Sequence, residues 1–117
     1  MPRPDQHTPL RGVELHILLS VVDQSRHGYA ILREAEERTG GRPGFEIPTL
    51  YRALRRLHDE GMICIADAPE PEQDERREYW SATESGRRGL KTELARMEIA
   101  LAVGRTRLGG APAGAAP

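Results

Sequence analysis

Cysteine is almost missing from this chain. Cys64 is the only one in 117 residues, which excludes a disulfide framework and any cysteine-built metal site. As a lone thiol it is expected to be a buried small hydrophobe. The four histidines, His7, His16, His27 and His58, lack metal-ligand spacing, so no metal and no cofactor is expected. His16 is expected at an interface or on the surface. There is no Ser/His/Asp order, phosphate-cradling glycine loop or paired-carboxylate signature, and the expectation is a protein that is not an enzyme. Long hydrophobic runs are missing too. The run from Leu15 to Val22 is too short to span a bilayer, and Asp23 follows it directly. No signal peptide is read at the start, so a soluble, cytoplasmic protein with no membrane partner is expected. Nor is there an excess of one charge. Seventeen Lys and Arg against 18 Asp and Glu give a net charge of -1. Positive charge must then be local to matter to a nucleic acid, because phosphates feel it only within about a Debye length, roughly 8–10 Å.

What is present is a succession of short patterned segments, enough for one domain that folds without staples. Residues 1–7 read as a flexible arm. Thr8 is a good helix N-cap and Pro9 suits a first helical position. Leu10, Val13, Ile17, Leu18 and Val21 follow at helical spacing, with Leu15, Leu19 and Val22 on a second face. A helix apolar on two sides must bury both, one against the domain core and the other against a partner subunit. A second helix is predicted from Gly28 to Thr39, with Ile31, Leu32 and Ala35 inward and Gly40-Gly41 ending it. After a loop restricted by Pro43 and Pro48, a third helix begins near Pro48. Leu50, Leu54 and Leu57 form its buried stripe, with Ala53 beside them. Arg52 lies opposite that stripe, flanked by Pro48, Thr49, Arg55 and Arg56, and Gly61 stops the helix.

Met62–Ala68 and Arg76–Ala82 read as the strands of a hairpin. Their connection, PEPEQDE, carries two prolines and four acids and makes a solvated tip. Thr83 caps a last helix and Glu84 complements its dipole. In it Leu90, Leu94, Met97, Leu101 and Leu108 keep a heptad spacing. Extending to about Arg107, this helix is roughly 36 Å long, too long for so small a domain to cover. The fold class is therefore mainly α with a small β-hairpin. Residues 8–82 form a winged helix-turn-helix, residues 83–108 a C-terminal dimerisation helix, and residues 109–117 a disordered tail. This layout puts a helix into the DNA major groove.

The segments TPLRGVELHILLSVV, HGYAILREAEERTGG, PTLYRALRRLHDEGMI and DERREYWSATESGRRGL together resemble the PadR family of bacterial transcriptional regulators. The resemblance covers about Thr8 to Leu108, and the last helix is similar to that of the family's compact subgroup, which has a single C-terminal dimerisation helix. It implies a homodimeric repressor on a pseudo-palindromic double-stranded operator. It also implies release by a small aromatic or amphipathic effector, sometimes bound between the two last helices. Two features depart from the family pattern: the acidic wing tip, and Glu84-Ser85 where Pro-Glu is frequent.

Candidate DNA-contacting residues are Tyr29, Pro48, Thr49, Tyr51, Arg52, Arg55, Arg56, Arg76 and Arg77. Thr49 and Arg52 are best placed for base edges, and Arg55 and Arg56 for bases or phosphates. The bland alternative is a solvated face, with Arg56 pairing Glu60 at i+4. Tyr51 and Tyr29 are candidates for backbone phosphates or for packing. Arg76 and Arg77 either meet DNA or pair with Asp74, Glu75 and Glu78. Of Tyr79 and Trp80, which alternate across the strand, Trp80 is expected to face the core. Candidate dimer residues are Leu10, Leu15, Leu19, Leu90, Leu94, Met97, Leu101 and Leu108. Met97, Ala100 and Val103 are candidates for an effector cleft, in a helix with no aromatic residue for stacking. The rival reading is a winged-helix protein–protein adaptor, which has no need of three outward arginines beside Thr49.

Overall fold

The computed structural model describes residues 12–69 and 77–109. The arm, the Thr8–Pro9 helix start, Leu10, most of the acidic tip, Arg76 and residues 110–117 lie outside them. Seven elements follow in order: α1 (Gly12–Val21), β1 (Arg26–His27), α2 (Gly28–Thr39), α3 (Ile47–Asp59), β2 (Ile63–Ala66), β3 (Tyr79–Ala82) and α4 (Glu84–Arg107). No helix among the described residues is long and apolar enough to cross a membrane, and no group of three or more His, Cys, Asp or Glu there could hold a metal ion.

At the ends of α2, α3 and α4, local backbone chemistry sets the termini. Gly40 closes α2 in the left-handed region at φ 65°, where a β-carbon would be strained. Pro48 sits in the first turn of α3, where a missing N–H costs nothing. At the far end, Gly61 has φ 75°. The Met62 amide donates to the Leu57 carbonyl at 2.9 Å and the Gly61 amide to that of His58 at 3.0 Å. This is the Schellman pattern, with Met62 buried as its hydrophobic contact. Thr83 caps α4 by accepting from the Gly86 amide at 3.1 Å, and its hydroxyl donates to the Gly61 carbonyl at 2.6 Å.

The core gathers Val13, Ile17, Leu18 and Val21 of α1, Ile31 of α2, and Leu50, Ala53, Leu54 and Leu57 of α3. Met62, Ile63, Trp80 and Leu90 close it from the other side. α1 is the central post: α2, α3, α4 and β3 all pack on it. Even its polar Glu14 and Ser20 are buried. Arg38 ties α2 to it, donating to the His16 carbonyl at 3.0 Å and to the Ser20 hydroxyl at 2.9 Å. The His16 ring, on the same Arg38, has its pKa lowered by burial and by that guanidinium.

Several expectations need correction. The sheet has three strands, in the order β1-β3-β2, all antiparallel. The extra strand is Arg26–His27, paired with Trp80 and Tyr79. Tyr79 is buried as well as Trp80, because the side of β3 away from the main core is also covered, with the His27 ring edge-on against Tyr79. Cys64 is exposed, because β2 is an edge strand and Cys64 points away from the core that takes Ile63. Leu90, expected on the dimer seam, is only 5% exposed and belongs to the core of its own chain. The start of α4 lies too close to Met62 and Leu18 for Leu90 to face outward. Leu15 and Leu19 are half-buried against the same core.

Candidate nucleic-acid interface

α3 is amphipathic, and the start of its polar side lies beside the α2–α3 turn. Leu50, Ala53, Leu54 and Leu57 are buried, so helical spacing turns Tyr51, Arg52 and Arg55 outward, and all three are exposed. Pro48 is exposed and Thr49 half-exposed at the same end. Arg52 Nη2 donates to the Thr49 hydroxyl at 3.3 Å, which presents the two side chains as one polar unit. Arg56 is used differently. Its Nε donates to buried Glu14 on α1 at 2.6 Å, so its partner is not Glu60. A buried carboxylate without a cation would be costly.

Beside α3 lies an open groove of about 310 Å³, lined by His27, Tyr29, Tyr51, Arg77 and Glu78. Three elements meet there: the first turn of α2, the middle of α3 and the lead into β3. Gly28 makes the approach possible. A β-carbon on it would fall 2.7 Å from the Tyr51 hydroxyl and 2.9 Å from its ring, so only glycine lets the phenol lie over the start of α2. His27 forms the floor. Its Nδ1 accepts from the Ala30 amide at 3.1 Å, capping α2, and its ring stands edge-on to Tyr79 at 5.3 Å. Arg77 Nη1 sits 2.9 Å from His27 Nε2 and 3.2 Å from Nδ1. The groove thus gathers two phenols, a guanidinium and the positive end of a helix, a set suited to a phosphate oxygen. Glu78 is its one acid.

The model of the transcriptional regulator PadR-like family matches residues 17–92. The chain belongs to the PadR family. Its members are transcriptional regulators, not enzymes. Among solved structures, a PadR family transcription regulator from Clostridium difficile R20291 is similar at TM-score 0.70 and 21% identity, over 84% of this chain and 99% of that one. The smu.1704 protein of Streptococcus mutans UA159 is similar at TM-score 0.66 and 19% identity, over 90% and 96%. Bacillus subtilis PadR in complex with operator DNA is similar at TM-score 0.60 and 24% identity, over 74% of this chain but 48% of that one. No curated protein sequence matches the chain.

In this PadR-family protein the structure brings Tyr29, Tyr51 and Arg77 into one groove and sets Pro48, Thr49, Arg52 and Arg55 on the exposed face of α3. It draws Arg56 to α1, and Arg76 lies outside the described residues. Sequence reasoning missed His27 and Gly28. The sequence does show them at the start of the predicted α2, His27 just before it and Gly28 its first residue, but the approach of Tyr51 depends on tertiary placement.

Proposed function

We propose that this PadR-family regulator binds double-stranded DNA through α3, with the first turn of α2 and Arg77 holding the phosphate backbone. The observation that carries this is the adjacency of the Thr49–Arg52–Arg55 face to the groove of Tyr29, Tyr51 and Arg77. One surface then serves base edges and the neighbouring phosphates. The local character of this charge reconciles it with a net charge of -1. The similar Bacillus subtilis PadR was solved with operator DNA, which supports the same use of the fold here.

The working unit is a homodimer on a pseudo-palindromic operator, and its role is repression. Leu94, Met97, Leu101 and Leu108 are exposed along and just past α4, an apolar face that a second copy would cover, and the half-buried Leu15 and Leu19 of α1 are assigned to the same interface. Met97, Ala100 and Val103, all exposed, are the residues for a small aromatic or amphipathic effector, whose binding would release the DNA. The test is a gel-shift titration on the promoter of the protein's own operon. Arg52→Ala is expected to weaken the complex by about 1–3 kcal/mol if Arg52 reads a base. Unchanged affinity in Arg52→Ala combined with Arg55→Ala would remove α3 from the recognition role.

A further inference from the structure

We propose that Glu14 is a positioning residue that seats Arg56 on the base-reading face of α3. The proposal rests on the reading of α3 as the DNA-contacting helix, and it gives a buried residue of α1 a task in recognition without touching DNA. Glu14 is 7% exposed. It accepts from Arg56 Nε at 2.6 Å, and Arg56 makes no other hydrogen bond or ion pair among the described residues. The Arg56 side chain is nevertheless 37% exposed. The carboxylate is thus sealed in the protein, while the side chain that it holds still reaches the surface.

Thr49, Arg52 and Arg56 stand at i, i+3 and i+7 on α3, so they share one ridge. Arg52 already bonds to Thr49 on it. Arg52 and Arg56 are four residues apart, about 6 Å along the helix axis. That is close to two base-pair steps of about 3.4 Å. A guanidinium held by its Nε keeps the N–H donors of both Nη atoms. The outer pair of these matches O6 and N7 of guanine. Pairing with a carboxylate cancels much of the pull of Arg56 on distant phosphates, which see the two charges together. What the pair keeps is direction. A long arginine side chain loses rotamer freedom when it engages a partner, and a seated one has less to lose. The contact this favours for Arg56 is a guanine edge rather than a phosphate.

The test is a binding selection from randomised duplexes of roughly 30 bp, long enough for two half-sites. Base preference is read from the selected pool, and affinity for an unselected mixed-sequence duplex is measured beside it. The wild type is expected to prefer guanine through Arg56 at one position per half-site, by roughly five- to 150-fold. Arg56→Gln is expected to lose that preference and to keep the one due to Arg52. Glu14→Leu removes the acceptor. It is expected to weaken the preference at the same position, with mixed-sequence affinity unchanged or higher because an acid has gone. A wild-type preference in folded Glu14→Leu overturns the proposal and leaves the ion pair a brace between α1 and α3. A joint fall of preference and mixed-sequence affinity in that variant overturns it as well. A wild-type preference in Arg56→Gln also overturns it, while reading by Arg52 stands. A wild type that selects no sequence overturns the reading of α3 itself, and the proposal with it. Should Glu14→Leu fail to fold, Glu14→Gln decides, since it keeps an acceptor but not the charge. The preference is then expected to fall part of the way, and full preference overturns the proposal.

Discussion

Gly86 is a residue whose whole contribution is the side chain it does not have. A β-carbon there would collide with the backbone carbonyl of Met62 and crowd Leu18. Neither backbone nor buried core can yield, so Gly86→Ala is expected to cost about 3 kcal/mol or more in urea unfolding. Gly28 contrasts with it. Its obstacle is the far end of the exposed Tyr51, which can swing away. Gly28→Ala should cost little stability but weaken DNA binding, because the phenol leaves the groove. His16 gives a prediction of a different kind. Its folded pKa is lowered from the ordinary 6.5, by burial and then by Arg38. The unfolded chain therefore takes up the proton first as the pH falls, and stability drops on going below about pH 6.5 until the folded ring also protonates. Above that window the residue contributes no pH dependence. The urea midpoint is expected to fall between pH 7 and pH 5, and His16→Gln to flatten the difference.

The far half of α4 stands out among the elements. Beyond Leu90 it exposes Leu94, Met97, Leu101 and Leu108 on one side and Ile99 and Val103 on another. A helix apolar on more than one side is a buried helix, and within one chain nothing among the described residues covers it. Leu94→Glu with Leu101→Glu is expected to yield monomers by sedimentation at micromolar concentration, while the wild type sediments as a dimer. A wild-type monomer would remove the dimer reading. The helices themselves were legible in the sequence: α2 spans Gly28–Thr39 and α4 spans Glu84–Arg107, as predicted, because Gly40 and Thr83 signal termini through local backbone chemistry. What was not legible depends on distant partners. β1 has two residues and exists only because Trp80 and Tyr79 pair with it. Heptad spacing places Leu90 on the seam but cannot tell a domain core from a subunit interface. Cys64 looks like any small hydrophobe until the strand order makes β2 an edge. In the candidate site, the Thr49–Arg52–Arg55 face followed from periodicity alone. The partner of Arg56 did not, since Glu14 lies 42 residues away.

As a whole the molecule is drawn out. Its radius of gyration is 16.5 Å, against about 13 Å for a compact domain of 100 residues. If two copies join along α4, two-fold symmetry sets their recognition helices about 34–36 Å apart, one turn of DNA. Inserting five base pairs between the half-sites of a footprinted operator turns one half-site to the opposite side of the duplex. Affinity should then fall to the non-specific level, roughly a thousandfold or more. Equal affinity for both spacings would mean that each chain reads DNA alone.

The junction between α3 and α4 bears on how such a spacing could change. Thr83 bonds to the carbonyls of both Gly61 and Met62, and Gly86 rests against the same Met62 carbonyl. The end of α3 and the start of α4 are thus joined directly into an elbow by these contacts. Such an elbow behaves as a crank. A swing of ten degrees at the elbow moves the far end of a roughly 36 Å arm by about 6 Å. Run in reverse, a small rearrangement where two such arms cross is geared down to a slight, stiff rotation of α3. In the proposed dimer, such a rotation would change the pitch of the two α3 helices while each core stays intact.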